Sequence, residues 1–202
     1  MTEALAVALA YFIGAIPLSW LIFYWRSGGQ DLRRVGDRNV GSGNALREGA
    51  GWFWGHMALL GDVGKGLLAV SLARWLELPV GWWMACGYVV IVGHMFPVWL
   101  GFDGGRGAAT AMGAAGAFLP WQFGITMAGG TVAFLLFRIA ELGIVLVAAP
   151  LPFLAIAFDL PVEAIVFCFT APMLSGVKAG VDRWQRSRRA VRVESAPADD
   201  AR

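Results

Sequence analysis

The sequence predicts an all-α fold, a polytopic transmembrane helical bundle with about seven spans. Hydrophobic residues make up 58% of the 202 residues, charged residues make up only 15%, and the charges cluster in a few short segments. This composition is too apolar for a soluble domain of this size. Backbone polar groups in lipid need partners within their own segment, and the apolar stretches lack the alternating polar residues of a porin strand. Helices are therefore expected.

Seven stretches are candidate spans, although five or six spans remain open. A helix needs about 20 apolar residues to cross the hydrocarbon core, and the fourth stretch is shorter than that. The first has Glu3 where a signal peptide carries basic residues, and no cleavage site follows, so we expect an uncleaved span. The candidate spans are 3–25, 51–75, 79–100, 107–119, 121–137, 142–158 and 161–177.

The positive residues predict the orientation, because cytoplasmic loops of membrane proteins carry an excess of Lys and Arg. If the N-terminus is outside and the C-terminus is cytoplasmic, only Arg74 lies outside and Lys65 lies within a span. The cytoplasmic side then holds Arg26, Arg33, Arg34, Arg38, Arg47, Arg106, Arg138, Lys178, Arg183, Arg186, Arg188, Arg189, Arg192 and Arg202. Near the predicted span ends, where their amphipathic rings belong, are Trp25, Trp52, Trp75, Trp99 and Trp121.

The chain divides into one transmembrane domain, residues 1–180, and a basic cytoplasmic tail, residues 181–202. The tail ends in a short polar segment rich in Ala, Asp and Pro, which predicts disorder. Its basic residues are expected to attract anionic lipid headgroups. Nucleic acid is not an expected partner.

Two polar loops are candidate anion sites. Residues 31–47 combine four arginines with glycines and amide side chains, and residues 93–110 contain a glycine-rich turn with Arg106 just before a helix. Glycines let the backbone approach an anion, and Arg supplies planar donors suited to phosphate. The Walker A spacing is absent. An ordinary positive-inside loop and tight helix packing are the alternative explanations.

Asp62 and Lys65 place opposite charges three residues apart inside an apolar helix. Isolated charges are unfavourable there, so an inward-facing ion pair is expected, either structural or part of a site. His56 and His94 are not spaced for zinc, and we expect no metal and no cofactor. Cys86 and Cys168 lie in apolar stretches and are expected to be buried thiols.

Together these residues resemble the bacterial acyl-phosphate:glycerol-3-phosphate acyltransferase family, PlsY, up to about residue 177. The resemblance rests on ordered elements, which are Gly14-Ala-Ile-Pro17, Asp31-Leu-Arg33, Asn39-Val-Gly41, Asn44-Ala-Leu-Arg47, Asp62-Val-Gly-Lys65-Gly66, Gly93-His-Met-Phe-Pro97 and Gly104-Gly-Arg-Gly107. It implies seven helices with the N-terminus outside. It also implies acyl transfer from acyl phosphate to the 1-hydroxyl of sn-glycerol 3-phosphate, giving lysophosphatidic acid for phospholipid synthesis in the bacterial plasma membrane.

The resemblance also implies site residues. The implied catalytic residues are Asp37, His94 and Arg106, and the implied substrate-binding residues are Asn39, Gly41, Asn44, Arg47, Gly104, Gly105 and Gly107. Asp37 stands where the family has a serine, and it is either a general base or a carboxylate paired with an arginine. Arg106 stands where the family has a lysine. The other departures from the family pattern are Gly43, Asp103, Glu141 and Gly143.

The expected partners are acyl phosphate and glycerol 3-phosphate as substrates, and membrane lipids. A non-catalytic membrane protein that keeps the fold and an anionic-lipid or phosphate pocket is the main alternative. A small-solute transporter is a third interpretation, but neither inverted repeats nor broken helices near the midplane are evident.

Overall fold

A computed structural model describes residues 1–137 and 140–194, and confirms the all-α prediction. The α-helices of these residues are α1 (Thr2–Ala15), α2 (Leu18–Arg26), α3 (Ser42–Ala45), α4 (Trp52–Trp75), α5 (Val80–Met95), α6 (Ala108–Phe118), α7 (Pro120–Phe137), α8 (Ala140–Ala148), α9 (Leu151–Ala157) and α10 (Val162–Glu194). Short 3₁₀ turns cover Leu32–Arg34 and Val98–Leu100, and a π-helical turn covers Leu46–Ala50.

All seven predicted stretches are helical. Within the described residues, four helical segments are long and apolar enough to cross a membrane, and these are Thr2–Arg26, Trp52–Trp75, Val80–Leu100 and Val162–Arg188. Ala108–Phe118 and Gly143–Ala157 are apolar but shorter. The sixth predicted stretch is divided into α8 and α9 next to Pro150, a residue that cannot donate a backbone hydrogen bond.

The first predicted span is interrupted between α1 and α2. Ile16 has an extended backbone, with φ −62° and ψ 113°, and Pro17 follows it. Proline removes one N–H donor and disfavours the helical conformation in the preceding residue. The Ile16 carbonyl accepts a hydrogen bond from Lys65 Nζ at 3.1 Å. The interruption therefore supplies a backbone acceptor to a buried lysine of α4.

Small residues bring the central helices into backbone contact. A Cβ atom on Gly66 of α4 would lie 2.0 Å from the carbonyl oxygen of Thr110 in α6. A Cβ atom on Gly113 of α6 would lie 1.9 Å from the carbonyl oxygen of Val63. Helices in membranes commonly associate through such small residues. This contact sets the position of the first turn of α6, which follows the glycine-rich turn.

The tryptophan prediction is confirmed at the helix ends. Trp25 lies near the end of α2, Trp52 and Trp75 are the terminal residues of α4, Trp99 follows α5, and Trp121 is in the first turn of α7. All five side chains are exposed on the protein surface. They are placed to contact the interfacial region of a bilayer. Cys86 and Cys168 are buried free thiols, as predicted.

α10 continues past residue 180 to Glu194, into the segment that the sequence predicted to be a disordered tail. An ion pair one turn apart, between Lys178 Nζ and Asp182 Oδ1 at 2.5 Å, stabilises this extension. Arg186 Nε also donates to the Asp182 carbonyl oxygen at 3.0 Å. Residues 195–202 and Arg138, which the sequence assigned to the cytoplasmic side, lie outside the described residues.

Candidate active site

Three polar segments meet at one end of the bundle. They are the loop after α2, the loop between α5 and α6, and the extension of α10. Arg33 Nη1 donates to the Leu100 carbonyl oxygen at 3.0 Å, which joins the two loops. Arg106 is within ion-pair distance of both Asp37 and Asp182. The distribution of Arg and Lys in the sequence predicted that these segments lie on one side of the membrane. In the structure they are in contact.

Asp37 is at the centre of this site. Its Oδ2 atom accepts hydrogen bonds from Arg106 Nη1 at 3.0 Å and from Arg47 Nη2 at 3.3 Å. Its Oδ1 atom accepts the backbone N–H of Asn39 at 3.1 Å. The side chain is 31% exposed, so the carboxylate is reachable from solvent. Two guanidinium groups therefore point at one position where an anionic oxygen lies.

Asn44 holds the loop that carries Asp37. Its Nδ2 atom lies 3.1–3.3 Å from the carbonyl oxygens of Leu32, Val35 and Asn39, and its Oδ1 atom accepts the backbone N–H of Asp37 at 3.1 Å. The residue is fully buried. A direct contact between Asn44 and substrate would require one of these bonds to break. The structure therefore gives Asn44 a role in shaping the loop.

Asn39 and Gly41 lie close together beside this carboxylate. Within residues 1–137 and 140–194, the Oδ1 atom of Asn39 is buried and has no hydrogen-bond partner. A Cβ atom on Gly41 would lie 2.7 Å from the Asn39 Nδ2 atom, so glycine leaves room for this amide. A buried acceptor without a partner is unfavourable, and a ligand hydroxyl can satisfy it.

The glycine-rich turn packs onto His94. The backbone N–H groups of Gly104 and Gly105 donate to the carbonyl oxygens of Met95, at 3.2 Å, and His94, at 3.1 Å. A Cβ atom on Gly105 would lie 2.1 Å from His94 Nε2. These two N–H groups are thus satisfied within the protein. Gly107 adopts φ +79°, a conformation suited to glycine, immediately before α6.

His94 belongs to a buried polar cluster beneath the turn. Its Nδ1 atom is 3.6 Å from Asp62 Oδ1, and Lys65 Nζ is 3.1 Å from the same oxygen. Ser19 donates to Asp62 Oδ2 at 2.6 Å. The expected ion pair between Asp62 and Lys65 is thus present. With 7% of its surface exposed, His94 supports the turn from below and does not open onto the site.

Asp31 and Arg33 join the two polar loops to α2. Arg33 Nη2 is 2.7 Å from Asp31 Oδ2, and Trp20 Nε1 donates to Asp31 Oδ1 at 2.8 Å. The hydrogen bonds from the Arg33 side chain hold the pKa of the Asp31 carboxyl well below its usual range. They also raise the pKa of Arg33. Both groups are therefore charged throughout the neutral pH range.

An apolar cleft opens beside the loop that carries Arg47. It extends from α3 between α4, α6, α7 and α8, the helices that carry most of its lining residues. Apolar side chains and glycines form most of its walls. The lining residues are Ser42, Gly43, Leu46, Gly55, His56, Leu59, Met112, Met127, Gly130, Thr131, Gly143, Ile144 and Val147.

A second, polar groove lies between the two loops and α10. Its volume of about 230 Å³ exceeds the roughly 30 Å³ share of one water molecule, so a small anion fits. Arginines and a lysine outnumber carboxylates on its walls, and the lining residues are Arg33, Arg38, Asp103, Gly104, Lys178, Asp182, Gln185 and Arg186. The sequence did not identify Asp182 or Gln185 as site residues, because the tail was expected to be disordered.

The fold and the site together define a class of protein, a helical membrane protein in which two arginines converge on one carboxylate oxygen next to an apolar cleft. Within the described residues, no group of three or more His, Cys, Asp or Glu side chains is arranged to hold a metal ion.

Comparison with known proteins identifies the family. A model described as "Glycerol-3-phosphate acyltransferase" matches residues 4–180. The glycerol-3-phosphate acyltransferase 4 of Dehalococcoides mccartyi is 37% identical over 174 residues, which cover 86% of this chain and 92% of the relative. The glycerol-3-phosphate acyltransferase of Caulobacter vibrioides is 38% identical over 178 residues, 86% of this chain and 79% of the relative.

A solved structure shows the same fold. The crystal structure of PlsY (YgiH), an integral membrane glycerol 3-phosphate acyltransferase, in its glycerol 3-phosphate form, has a TM-score of 0.74 and 26% identity to this chain. The match covers 93% of this chain and 94% of that one. The chain belongs to the glycerol-3-phosphate acyltransferase family and is an acyltransferase of the membrane. The family match ends at residue 180, before Asp182.

Proposed function

We propose that this enzyme transfers an acyl chain from acyl phosphate to the 1-hydroxyl of sn-glycerol 3-phosphate, releasing lysophosphatidic acid and inorganic phosphate. The observation that carries the proposal is the convergence of Arg47 and Arg106 on one carboxylate oxygen of Asp37, at 3.3 Å and 3.0 Å. A phosphate oxygen is an acceptor of the same kind. Both substrates carry phosphate, so a site that already aligns two guanidinium groups suits either one.

The reaction needs no covalent enzyme intermediate, because acyl phosphate is already an activated mixed anhydride. The hydroxyl oxygen of the acceptor forms a bond to the acyl carbon, and the bond between that carbon and the phosphate oxygen breaks. The protein has to position both substrates and stabilise the developing negative charge. In this proposal Arg47 and Arg106 supply that stabilisation. A hydroxyl of the glycerol unit donates to the Oδ1 atom of Asn39, a buried acceptor without a partner among the described residues.

Asp37 acts as a paired carboxylate in this proposal. Both of its oxygen atoms accept hydrogen bonds, Oδ2 from two arginines and Oδ1 from the Asn39 backbone. This arrangement supports the interpretation in which Asp37 orients the arginines, over the interpretation in which it is a general base. The proton of the acceptor hydroxyl then passes to the departing phosphate.

The acyl chain lies in the apolar cleft in this proposal. The cleft begins at Ser42 and Gly43, one turn before Arg47, so a chain attached to a phosphate at the arginines can enter it. Apolar walls favour a hydrocarbon chain over a polar ligand. The polar groove between the two loops and α10 offers the second phosphate its cationic surroundings.

We also propose seven spans, with the N-terminus outside and the polar end of the bundle in the cytoplasm of a bacterial cell. The excess of Arg and Lys at this end supports the orientation. The seven helical stretches support the count, although three of them are shorter or divided. The active site then faces the compartment that supplies soluble glycerol 3-phosphate.

A direct assay tests the donor and the product. Purified enzyme in detergent is given glycerol 3-phosphate with either palmitoyl phosphate or palmitoyl-CoA, and lysophosphatidic acid is measured by mass spectrometry alongside phosphate release. We expect product with palmitoyl phosphate and little with palmitoyl-CoA. The variant with both Arg47→Ala and Arg106→Ala serves as the negative control. Faster turnover with palmitoyl-CoA would contradict the proposed donor.

A further inference from the structure

Asp182, on the extension of α10, contacts a different nitrogen of Arg106 from the one that Asp37 contacts. Its Oδ2 atom is 3.8 Å from Arg106 Nε, whereas Asp37 Oδ2 is 3.0 Å from Arg106 Nη1. The two carboxylates therefore lie beside two different nitrogens of one guanidinium. One comes from the loop after α2 and the other from the last helix.

The contact with Asp182 is incomplete in this structure. Among the described residues, the buried Arg106 Nε atom has no hydrogen-bond partner. A separation of 3.8 Å is too long for a hydrogen bond, which needs about 2.7–3.2 Å between N and O. A buried cationic donor without an acceptor is unfavourable, so a small movement that closes this gap is favoured.

Asp182 is itself held in place. Lys178 Nζ is 2.5 Å from the other carboxylate oxygen of Asp182, and Lys178 lies over the ring of Phe96 at 5.7 Å. The side chain of Asp182 is only 18% exposed. A carboxylate repels a phosphate group, so direct contact with either substrate is not its role. Its available partner within the site is Arg106.

We propose that Asp182 is a positioning residue for Arg106. When a substrate phosphate takes the Nη1 donor that Asp37 now holds, the Asp182 carboxylate closes on Nε and fixes the plane of the guanidinium. This inference rests on the proposed role of Arg106 in binding phosphate. It assigns a function in the site to a residue beyond the family match.

The test compares Asp182→Asn in two backgrounds, wild type and Arg106→Lys. In the wild-type background we expect kcat/KM for glycerol 3-phosphate to fall about tenfold, mainly through KM, as for other residues that orient a ligand-binding group. In the Arg106→Lys background the same substitution should change kcat/KM less than about twofold, because an ammonium group has no Nε atom to orient. Glu163→Gln, on the same helix but at its other end, is the matched charge control.

Two further measurements separate orientation from folding and from the proposed reaction. The rise in Tm caused by inorganic phosphate should be smaller in Asp182→Asn than in wild type, even if acyl phosphate is not the donor. Asp182→Glu, which keeps the charge, should recover part of the loss and serves if the Asn variant does not fold. Equal losses from Asp182→Asn in both backgrounds, or no loss in wild type, would overturn the assignment.

Discussion

Arg106 and Asp37 are 69 residues apart in the chain, yet Arg106 Nη1 is 3.0 Å from Asp37 Oδ2. The contact connects the loop after α2 to the turn before α6. Because Arg47 donates to the same oxygen, the carboxylate marks the point where two cationic side chains from separate segments converge.

Replacing Arg47 or Arg106 with Ala should lower kcat/KM about tenfold to a hundredfold, since each removes a charge-assisted contact of roughly 1.5–3 kcal/mol. Steady-state assays with acyl phosphate and glycerol 3-phosphate measure the loss. Arg106→Lys should retain more activity than Arg106→Ala, because the charge remains while the fork geometry is lost. Arg34→Ala, an exposed position in the same loop, is the control and should stay near wild type. Full activity in both Ala variants excludes the phosphate site.

Substitutions at Asp37 separate its two possible roles. If Asp37 is a paired carboxylate, the enzyme should tolerate Asp37→Ser or Asp37→Asn, and the main change should be in KM. If Asp37 is a general base, Asp37→Asn should lower kcat about a hundredfold or more and leave phosphate affinity near that of wild type. We expect the first result, because both carboxylate oxygens already accept hydrogen bonds. Separate measurement of kcat and of phosphate binding decides between the roles.

Gly66→Ala should destabilise the bundle, because its new Cβ atom would lie 2.0 Å from the carbonyl oxygen of Thr110. Overpacking of this kind costs about 1–3 kcal/mol. Gly64→Ala is the matched control on α4, because its Cβ atom would have no neighbour within 4 Å. Thermal unfolding in detergent should show a lower Tm for Gly66→Ala and an unchanged or higher Tm for Gly64→Ala. Equal Tm values would mean that α4 and α6 are not in backbone contact.

The pair of Asp31 and Arg33 predicts a specific pH dependence. The folded pKa of Asp31 lies below its unfolded value, so its contribution to stability is complete above the unfolded pKa, about 3.9, and is lost as pH falls through the folded value. The difference in Tm between wild type and Asp31→Asn should therefore be constant from about pH 5 to 8 and shrink only below about pH 4. The exposed Asp159→Asn is the control. A difference that already declines near pH 6 would contradict the assignment.

Cysteine labelling tests the orientation in a background that lacks Cys86 and Cys168. Arg34→Cys, at an exposed position, probes the polar end, and Glu77→Cys, exposed between α4 and α5, probes the opposite end. A thiol reagent that cannot cross the membrane should label residue 77 from the periplasm and leave residue 34 unlabelled until the cells are opened. The reverse labelling pattern would mean that the proposed orientation is wrong.

Hydropathy and spacing were sufficient to predict the helices and the ion pair between Asp62 and Lys65. Both depend on residues that are close in sequence, and an apolar stretch in lipid has few alternatives to a helix. The loop contacts could not be predicted in this way. The Asn44 side chain folds back onto carbonyl groups, and His94 faces the underside of Gly105, because of the path of the backbone in three dimensions.

The contribution of α10 to the site could not be predicted from the sequence for a different reason. Residues 181–194 are polar and basic, a composition that fits a disordered tail as well as it fits a helix, and the contact that favours the helix involves Lys178 and Asp182 across the proposed boundary at residue 180. The proximity of Asp182 to Arg106 depends on how α10 packs, which composition does not encode. Composition alone did not decide between the two local states that the sequence allowed.

The polar groove draws its walls from residues 33–38, 103–104 and 178–186, and this order has a consequence for biogenesis. The ribosome makes the chain from the N-terminus, so the two loops emerge well before α10. A nascent chain that has inserted only α1–α9 holds Arg106 without Asp182 or Lys178. The groove is closed only when the last helix enters the bundle, and a chain released early lacks one of its walls.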